Sequence, residues 1–291
     1  MQYLDSFSLP DEKQELEFRM SSRSNVLFYT NNAYPLDIFP QKKLKKVDFA
    51  PITLFYGGNG SGKSTLLNLI AERLGVERKV SFNKTQIFDE YVRMCDYSMR
   101  NAASRPPRGS EIITSDGVFD YLLDTRAINE GNARRRSELF TEYDTAVKSG
   151  YQMRSLDDYD ELKRVNDARR RGAGGYVADR VGQDIPNRSN GESAFLFFTQ
   201  RIGDNALYLL DEPENSLSAA YQKKLAGFIA DSVRFYNCQF IISTHSPFLL
   251  SMDDVKIYDL DSCPASVRKW SELENMRLYH QLFEEHKADF D

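Results

Sequence analysis

Apolar side chains in this sequence fall into short runs, and the spacing inside each run changes from one stretch to the next. Residues 51–56 (Pro-Ile-Thr-Leu-Phe-Tyr) are continuously apolar, β-branched or aromatic, as expected of a strand buried on both faces. Residues 66–74 repeat their apolar positions at helical spacing and stop at Gly75. Residues 206–210 and 239–242 are again short apolar strands. Residues 194–198 and 219–235 carry helical spacing, the second with a clear amphipathic stripe. Residues 26–29 read as a strand near the start and 255–260 as the last strand. Residues 271–287 read as a closing helix, with Ser271 and Glu274 as a capping box.

Between residues 77 and 187 the character differs. Charge is dense, strand signals are weak, and Gly172, Gly174 and Gly175 break any helix there. The expected organisation is one α/β domain from residues 1–76 and 188–291, interrupted by a mainly helical, charge-rich insertion at 77–187. No sustained heptad runs through the insertion, so a long coiled coil is not expected.

Two segments far apart carry the clearest chemistry. Gly57, Gly58, Asn59, Gly60, Ser61, Gly62, Lys63, Ser64 and Thr65 stand between a strand and a helix, the setting of a P-loop. Glycines let the backbone curl until its N–H groups point at phosphate oxygens, and the helix start adds partial positive charge. Lys63 is placed to reach the β- and γ-phosphates, and Ser64 to ligate magnesium. Asp211 and Glu212 end the 206–210 strand. Ligands of open α/β sheets bind at that end. Asp211 is therefore the second candidate magnesium ligand, and Glu212 the group to polarise an attacking water. The chemistry expected is magnesium-dependent hydrolysis of a nucleoside triphosphate, with Lys63 and Glu212 in the catalytic roles.

Three further segments give that expectation a family. Ser189, Asn190, Gly191 and Glu192 precede the apolar helix at 194–198; residues 214–218 follow the carboxylates; and His245 follows an apolar strand in Ser-Thr-His-Ser-Pro. In this order they resemble the signature motif, D-loop and switch histidine of the ATP-binding cassette (ABC) ATPases, nearest to the small soluble ABC-type ATPases of the SMC and RecF group. The resemblance implies a P-loop NTPase head that forms a head-to-tail homodimer on binding ATP. Ser189, Asn190, Gly191 and Glu192 would then contact a nucleotide held by the other subunit, and His245 would contact the γ-phosphate of its own. The signature departs from the Leu-Ser-Gly-Gly-Gln form of transporters. Gln86 is the candidate Q-loop glutamine and third magnesium contact.

The resemblance further implies a nucleotide-gated switch acting on a separately encoded effector or on nucleic acid, in DNA maintenance or antiviral defence, while composition makes the cytoplasm the expected compartment. A motor subunit of an ABC transporter is the competing function, and a non-enzymatic ATP-binding scaffold is a third. Composition narrows the field further. With 41% hydrophobic and 28% charged residues the chain is ordinary for a globular protein, and no apolar stretch is long enough to span a membrane. The N-terminal residues lack the apolar core of a signal peptide. Three scattered cysteines and three histidines do not suit a zinc site. A net charge of −5 argues against a chain wrapped in nucleic acid. Arg169, Arg170 and Arg171, with no interleaved carboxylate up to Gly175, remain the candidate phosphate contacts. A mixed-charge surface with local ion pairs is the alternative for the arginine clusters as a whole.

Overall fold

A computed structural model describes residues 1–21, 33–82, 84–100, 105–149, 159–186 and 188–290. Its strands are β1 (Leu4–Ser8), β2 (Lys46–Asp48), β3 (Ile52–Tyr56), β4 (Glu77–Arg78), β5 (Asp96–Met99), β6 (Glu111–Thr114), β7 (Leu207–Asp211), β8 (Gln239–Ser243), β9 (Lys256–Asp259) and β10 (Ser266–Arg268). The helices are α1 (Glu12–Met20), α2 (Ile38–Gln41), α3 (Lys63–Leu74), α4 (Phe88–Met94), α5 (Ser115–Lys148), α6 (Tyr159–Arg170), α7 (Ala173–Ala178), α8 (Asn190–Arg201), α9 (Ala219–Phe235), α10 (Pro247–Leu250) and α11 (Glu274–Glu285).

The main sheet has the order β10-β9-β3-β8-β7-β6-β4. Every pairing from β9 to β4 is parallel, and β10 closes the edge antiparallel to β9. This explains the uninterrupted apolar runs. All five residues of β3 and of β8 are buried, as are the first four of β7, because a parallel sheet is covered on both faces. Register sets Leu54 beside Ile242, and Ile241 beside Leu209. Helix α3 buries Leu66, Leu67, Leu69 and Ile70 in a core shared with Phe55, Leu209 and Ile241. Each such side chain contributes about 1.5–3 kcal/mol of burial. The helix ends at Gly75, where φ is +65° and the N–H turns back to the carbonyls of Ala71 and Glu72.

A second, antiparallel sheet runs β2-β1-β5. Gln239, fully buried at the start of β8, stitches β1 to the main sheet. Its Oε1 accepts from the N–H groups of Tyr3 and Leu4, both at 2.8 Å, and its Nε2 donates to the carbonyls of Leu4 and Ala50 at 3.0 and 3.2 Å. A buried amide so completely paired fixes register without leaving an orphan polar atom.

The chain divides into two compact units, residues 1–119 with 190–291, and residues 120–189. The expected boundary at 76/77 therefore moves. Residues 77–119 add β4 and β6 to the main sheet and β5 to the small one. Their signals were weak because β4 has only two residues and β6 four, too few for a readable period. The second unit is helical, with its own small core of Leu139, Ala146, Val165, Ala168, Tyr176 and Val177. Asn129 closes it locally by exchanging two hydrogen bonds of 2.9 Å with the backbone of Ile185.

Two further expectations change. The strand at 255–260 is followed by another, β10, so it is not the last. The closing helix starts at Glu274 with fully buried Leu273 at its N-cap, and Ser271 lies in a preceding 3₁₀ turn, Trp270–Glu272. Burying Leu273 there displaces the capping box. The strand read at 26–29 lies outside the described residues. No described helix is long and apolar enough to cross a membrane.

Candidate functional site

Strands β3, β8 and β7 are neighbours and parallel, so the loops leaving their carboxyl ends emerge side by side. Those loops carry Lys63, His245 and the Asp211–Glu212 pair. The sheet order, rather than nearness in sequence, assembles the site.

The loop after β3 curls through positive φ at Gly57 (+154°), Gly60 (+80°) and Gly62 (+92°). A Cβ at Gly57 would stand 2.6 Å from Ser61 Oγ, and one at Gly62 would stand 2.9 Å from Ile38 Cγ2. Only glycine fits at either place. Ser61 is buried and Asn59 is exposed. Lys63, 4% exposed at the start of α3, donates to the carbonyls of Gly57 at 2.7 Å and Gly58 at 3.2 Å. Its ammonium also lies 3.4 Å from Glu212 Oε1. The next two residues face other partners. Ser64 Oγ donates to Asp211 Oδ1 at 2.9 Å, and Thr65 Oγ1 meets the Tyr34 hydroxyl at 3.0 Å.

Asp211 also accepts from Ser243 Oγ, and burial pushes its carboxyl above the usual carboxylate range. Among the described residues it forms no direct ion pair. A buried carboxylate lacking a cation partner, 2.9 Å from a serine hydroxyl, is a hard-oxygen donor pair suited to magnesium. Ser64 and Asp211 would hold the ion, and the ion would supply charge neutralisation for phosphate oxygens.

Glu212 has φ +48°, in the left-handed region. Its N–H donates to the carbonyl and hydroxyl oxygens of Ser243 at 3.1 and 3.0 Å. Its Oε1 lies 3.2 Å from His245 Nε2, and its Oε2 accepts from Asn215 Nδ2 at 3.0 Å. The hydrogen bond from His245, then those from Asn215 and the charge of Lys63, hold the Glu212 carboxyl at about 2 against burial. One carboxylate oxygen thus faces both an ammonium and an imidazole. This is the geometry of a base that is oriented and kept ionised.

The remaining sequence candidates fall elsewhere. Gln86 is exposed in the turn before α4 and takes part in none of these contacts. Its neighbour Thr85 donates to the carbonyl of Tyr34 at 2.5 Å, and Lys84 donates to Glu72 Oε2 of α3 at 2.6 Å. Ser189 precedes α8, and Asn190, Gly191 and Glu192 form its first turn. The start of α8 sits against α9. A Cβ on Gly191 would stand 3.3 Å from Tyr221 Cδ2, and Phe195 packs on the Tyr221 ring at 5.8 Å. Arg171 pairs with Asp167 at 2.9 Å and with Asp179, and Arg169 donates to the Ser149 carbonyl at 2.5 Å. Local contacts therefore occupy much of this cluster, and Arg170 alone among the three forms no side-chain hydrogen bond or ion pair with described residues.

Residues not singled out in sequence complete the site. Ser243 bridges Asp211 and Glu212, and Asn215 holds Glu212. Asp261 accepts from the Gly58 N–H at 2.7 Å, fixing the entry to the glycine loop. The motif strings contain the first two but give no sign of their partners, and Asp261 lies 203 residues from Gly58.

A family model described as "AAA domain, putative AbiEii toxin, Type IV TA system" matches residues 134–251. That span takes in the 189–192 segment, the carboxylate pair and His245. No curated protein sequence matches the chain. Among solved structures, similarity is found to an inward-facing metal-chelate type ABC transporter, with 17% identity and a TM-score of 0.36 over 79% of this chain and 76% of that one. An SMC head bound to the C-terminal winged-helix domain of ScpA has 18% identity and a TM-score of 0.39, over 77% and 92%. The SMC head domain from Thermotoga maritima has 14% identity and a TM-score of 0.34, over 77% and 92%.

Proposed function

We propose that this ABC- and SMC-like P-loop ATPase closes as a head-to-tail homodimer around magnesium-bound ATP and uses hydrolysis as a switch on a separate partner. The observation that carries the reading is the convergence of five side chains from three loops. Lys63 and Ser64 follow β3, Asp211 and Glu212 end β7, and His245 follows β8, within 2.9–3.4 Å contacts of one another.

The loop amides, the Lys63 ammonium and the start of α3 bind and orient the phosphates. Ser64 and Asp211 hold magnesium. Glu212 takes the proton of the attacking water, and His245 orients that water and the terminal phosphate. Residues 189–192, the segment that resembles the ABC signature motif, contact the nucleotide of a second copy. The start of α8 then supplies backbone N–H groups as an anion site. The partner is a separately encoded protein or a nucleic acid, with Arg170 the cation of its cluster left for contact. The setting is DNA maintenance or defence against foreign DNA, as the resemblance implies; the matched family is described as a putative toxin of a toxin–antitoxin system.

The test compares wild type with Glu212→Gln by phosphate release and by light-scattering mass in solution. Wild type should release phosphate only with magnesium. The variant should lose turnover by at least about a hundredfold and accumulate as a dimer with ATP and magnesium. Persistent turnover in the variant would remove Glu212 from water activation. Monomers at saturating ATP in both proteins would remove the dimer.

A further inference from the structure

Glu214 has no place in the chemistry above, yet it is one of the most committed carboxylates in the protein. It is 8% exposed, on the 3₁₀ turn Pro213–Ser216 that follows Glu212. Its Oε1 accepts three hydrogen bonds from the segment carrying His245: Thr244 Oγ1 at 2.8 Å, His245 N–H at 2.5 Å and Ser246 N–H at 3.1 Å. Its Oε2 is buried with no hydrogen-bond partner among the described residues. A side chain serving only to fill space would be apolar, since a buried unpaired oxygen is unfavourable. Its other oxygen instead gathers three converging donors from one segment, more than a side chain that only fills space would meet.

The neighbours reinforce the link. Gln222, from α9, donates to the Leu217 carbonyl at 3.0 Å and accepts from Ser246 Oγ at 2.8 Å. Asn215, next along the turn, holds the far oxygen of Glu212 at 3.0 Å. One four-residue turn therefore grips Glu212 through Asn215 and the backbone of His245 through Glu214. The two members of the 3.2 Å Glu212–His245 contact are set by adjacent residues.

We infer that Glu214 is the positioning residue for His245, acting through the backbone of residues 244–246 without touching nucleotide. This rests on the proposed role of His245 in hydrolysis, but the geometric part does not. Any shift of the turn moves both halves of the reacting pair at once.

Two measurements test it. The chain has three histidines, and His280 and His286 are exposed. Ring nuclear magnetic resonance spectra therefore give few signals, with His245 distinguished by its loss in His245→Ala. In Glu214→Ala the His245 ring signal should move to the values of the two exposed rings, which themselves stay still. In Glu214→Gln, which keeps an oxygen acceptor, it should stay near its wild-type position. This needs no nucleotide, so it decides the geometry even if the protein proves not to hydrolyse ATP. In steady-state assays Glu214→Ala should lower kcat by about a hundredfold, the effect of roughly an ångström of misplacement, with KM within about twofold. Adding His245→Ala to it should cost less than about twofold more, because the two losses are one loss. An unmoved His245 signal in Glu214→Ala, or a double variant whose loss is the product of the single losses, would overturn the inference. If Glu214→Ala fails to fold, Glu214→Asp takes its place. Its carboxylate is one methylene short, and a displaced His245 signal at unchanged melting temperature supports the inference, whereas an unmoved one overturns it.

Discussion

The site around residues 211–246 and the helical unit at 120–189 use charge in opposite ways. Around the site, Lys63, Asp211, Glu212 and Glu214 are largely withdrawn from water, and each oxygen or ammonium that forms a contact meets a named partner. In the helical unit the pairs are water-facing: Arg135 with Glu138 and Glu142, Arg136 with Asp184, and Arg171 with Asp167 and Asp179. Electrostatic contacts strengthen as water is excluded and weaken where it screens them. Composition alone makes the helical unit look the more electrostatic of the two. The energetics reverse that ranking, because a charge becomes irreplaceable only where solvent cannot substitute for its partner.

The sharpest way to break this contrast is Lys63→Ala. It removes a buried ammonium from a site built for anions, and nucleotide affinity should fall by at least about thirtyfold, as measured by titration with a fluorescent ATP analogue. An unchanged affinity would sink the phosphate assignment. Ser243→Ala comes next. It removes the hydroxyl that donates to Asp211 and accepts from the Glu212 N–H. A lost hydrogen bond to a charged group predicts a fall in kcat of about tenfold or more, with folding retained.

The third test uses pH. Glu212 is held at about 2 in the fold, against an ordinary value of 4.5, chiefly by His245. A lowered carboxylate contributes stability that is fully present above 4.5 and lost as pH falls through about 2. Urea denaturation of wild type and Glu212→Gln in EDTA, without nucleotide, should show a wider gap at pH 6 than at pH 2.5. Equal gaps would mean that its partners do not hold the carboxylate. The smallest effect belongs to the other region. Arg171→Ala should leave the melting temperature within about 2 °C of wild type, and that small shift should shrink further in high salt.

Much of this architecture is legible in the sequence where local chemistry dictates it. The glycines around Lys63 are required by backbone geometry, and the runs at 206–210 and 239–242 announce strands buried on both faces. These placed Lys63, Ser64, Asp211, Glu212 and His245 near strand ends before any fold was known. What stayed hidden depends on partners remote in sequence. Ser243 reads as the polar end of a strand, and nothing local says that its hydroxyl bridges two carboxylate-bearing residues from β7. Glu214 reads as part of an acidic turn, and its three donors lie some 30 residues on. Asp261 meets Gly58 across 203 residues. The unit boundary moved for a related reason: β4 is a strand because β6 is beside it, its two residues being too few to announce themselves.

The position of β3 has a consequence for the birth of the protein. Its only neighbours are β8 and β9, made of residues 239–259. A ribosome that has released the first two hundred residues has already made the entire glycine loop, but the strand that presents it has nothing to pair with on either side. Closing so long a segment slows folding relative to local contacts. The cradle forms only once residues 239–259 have been made and have joined the sheet, in a step that also delivers His245.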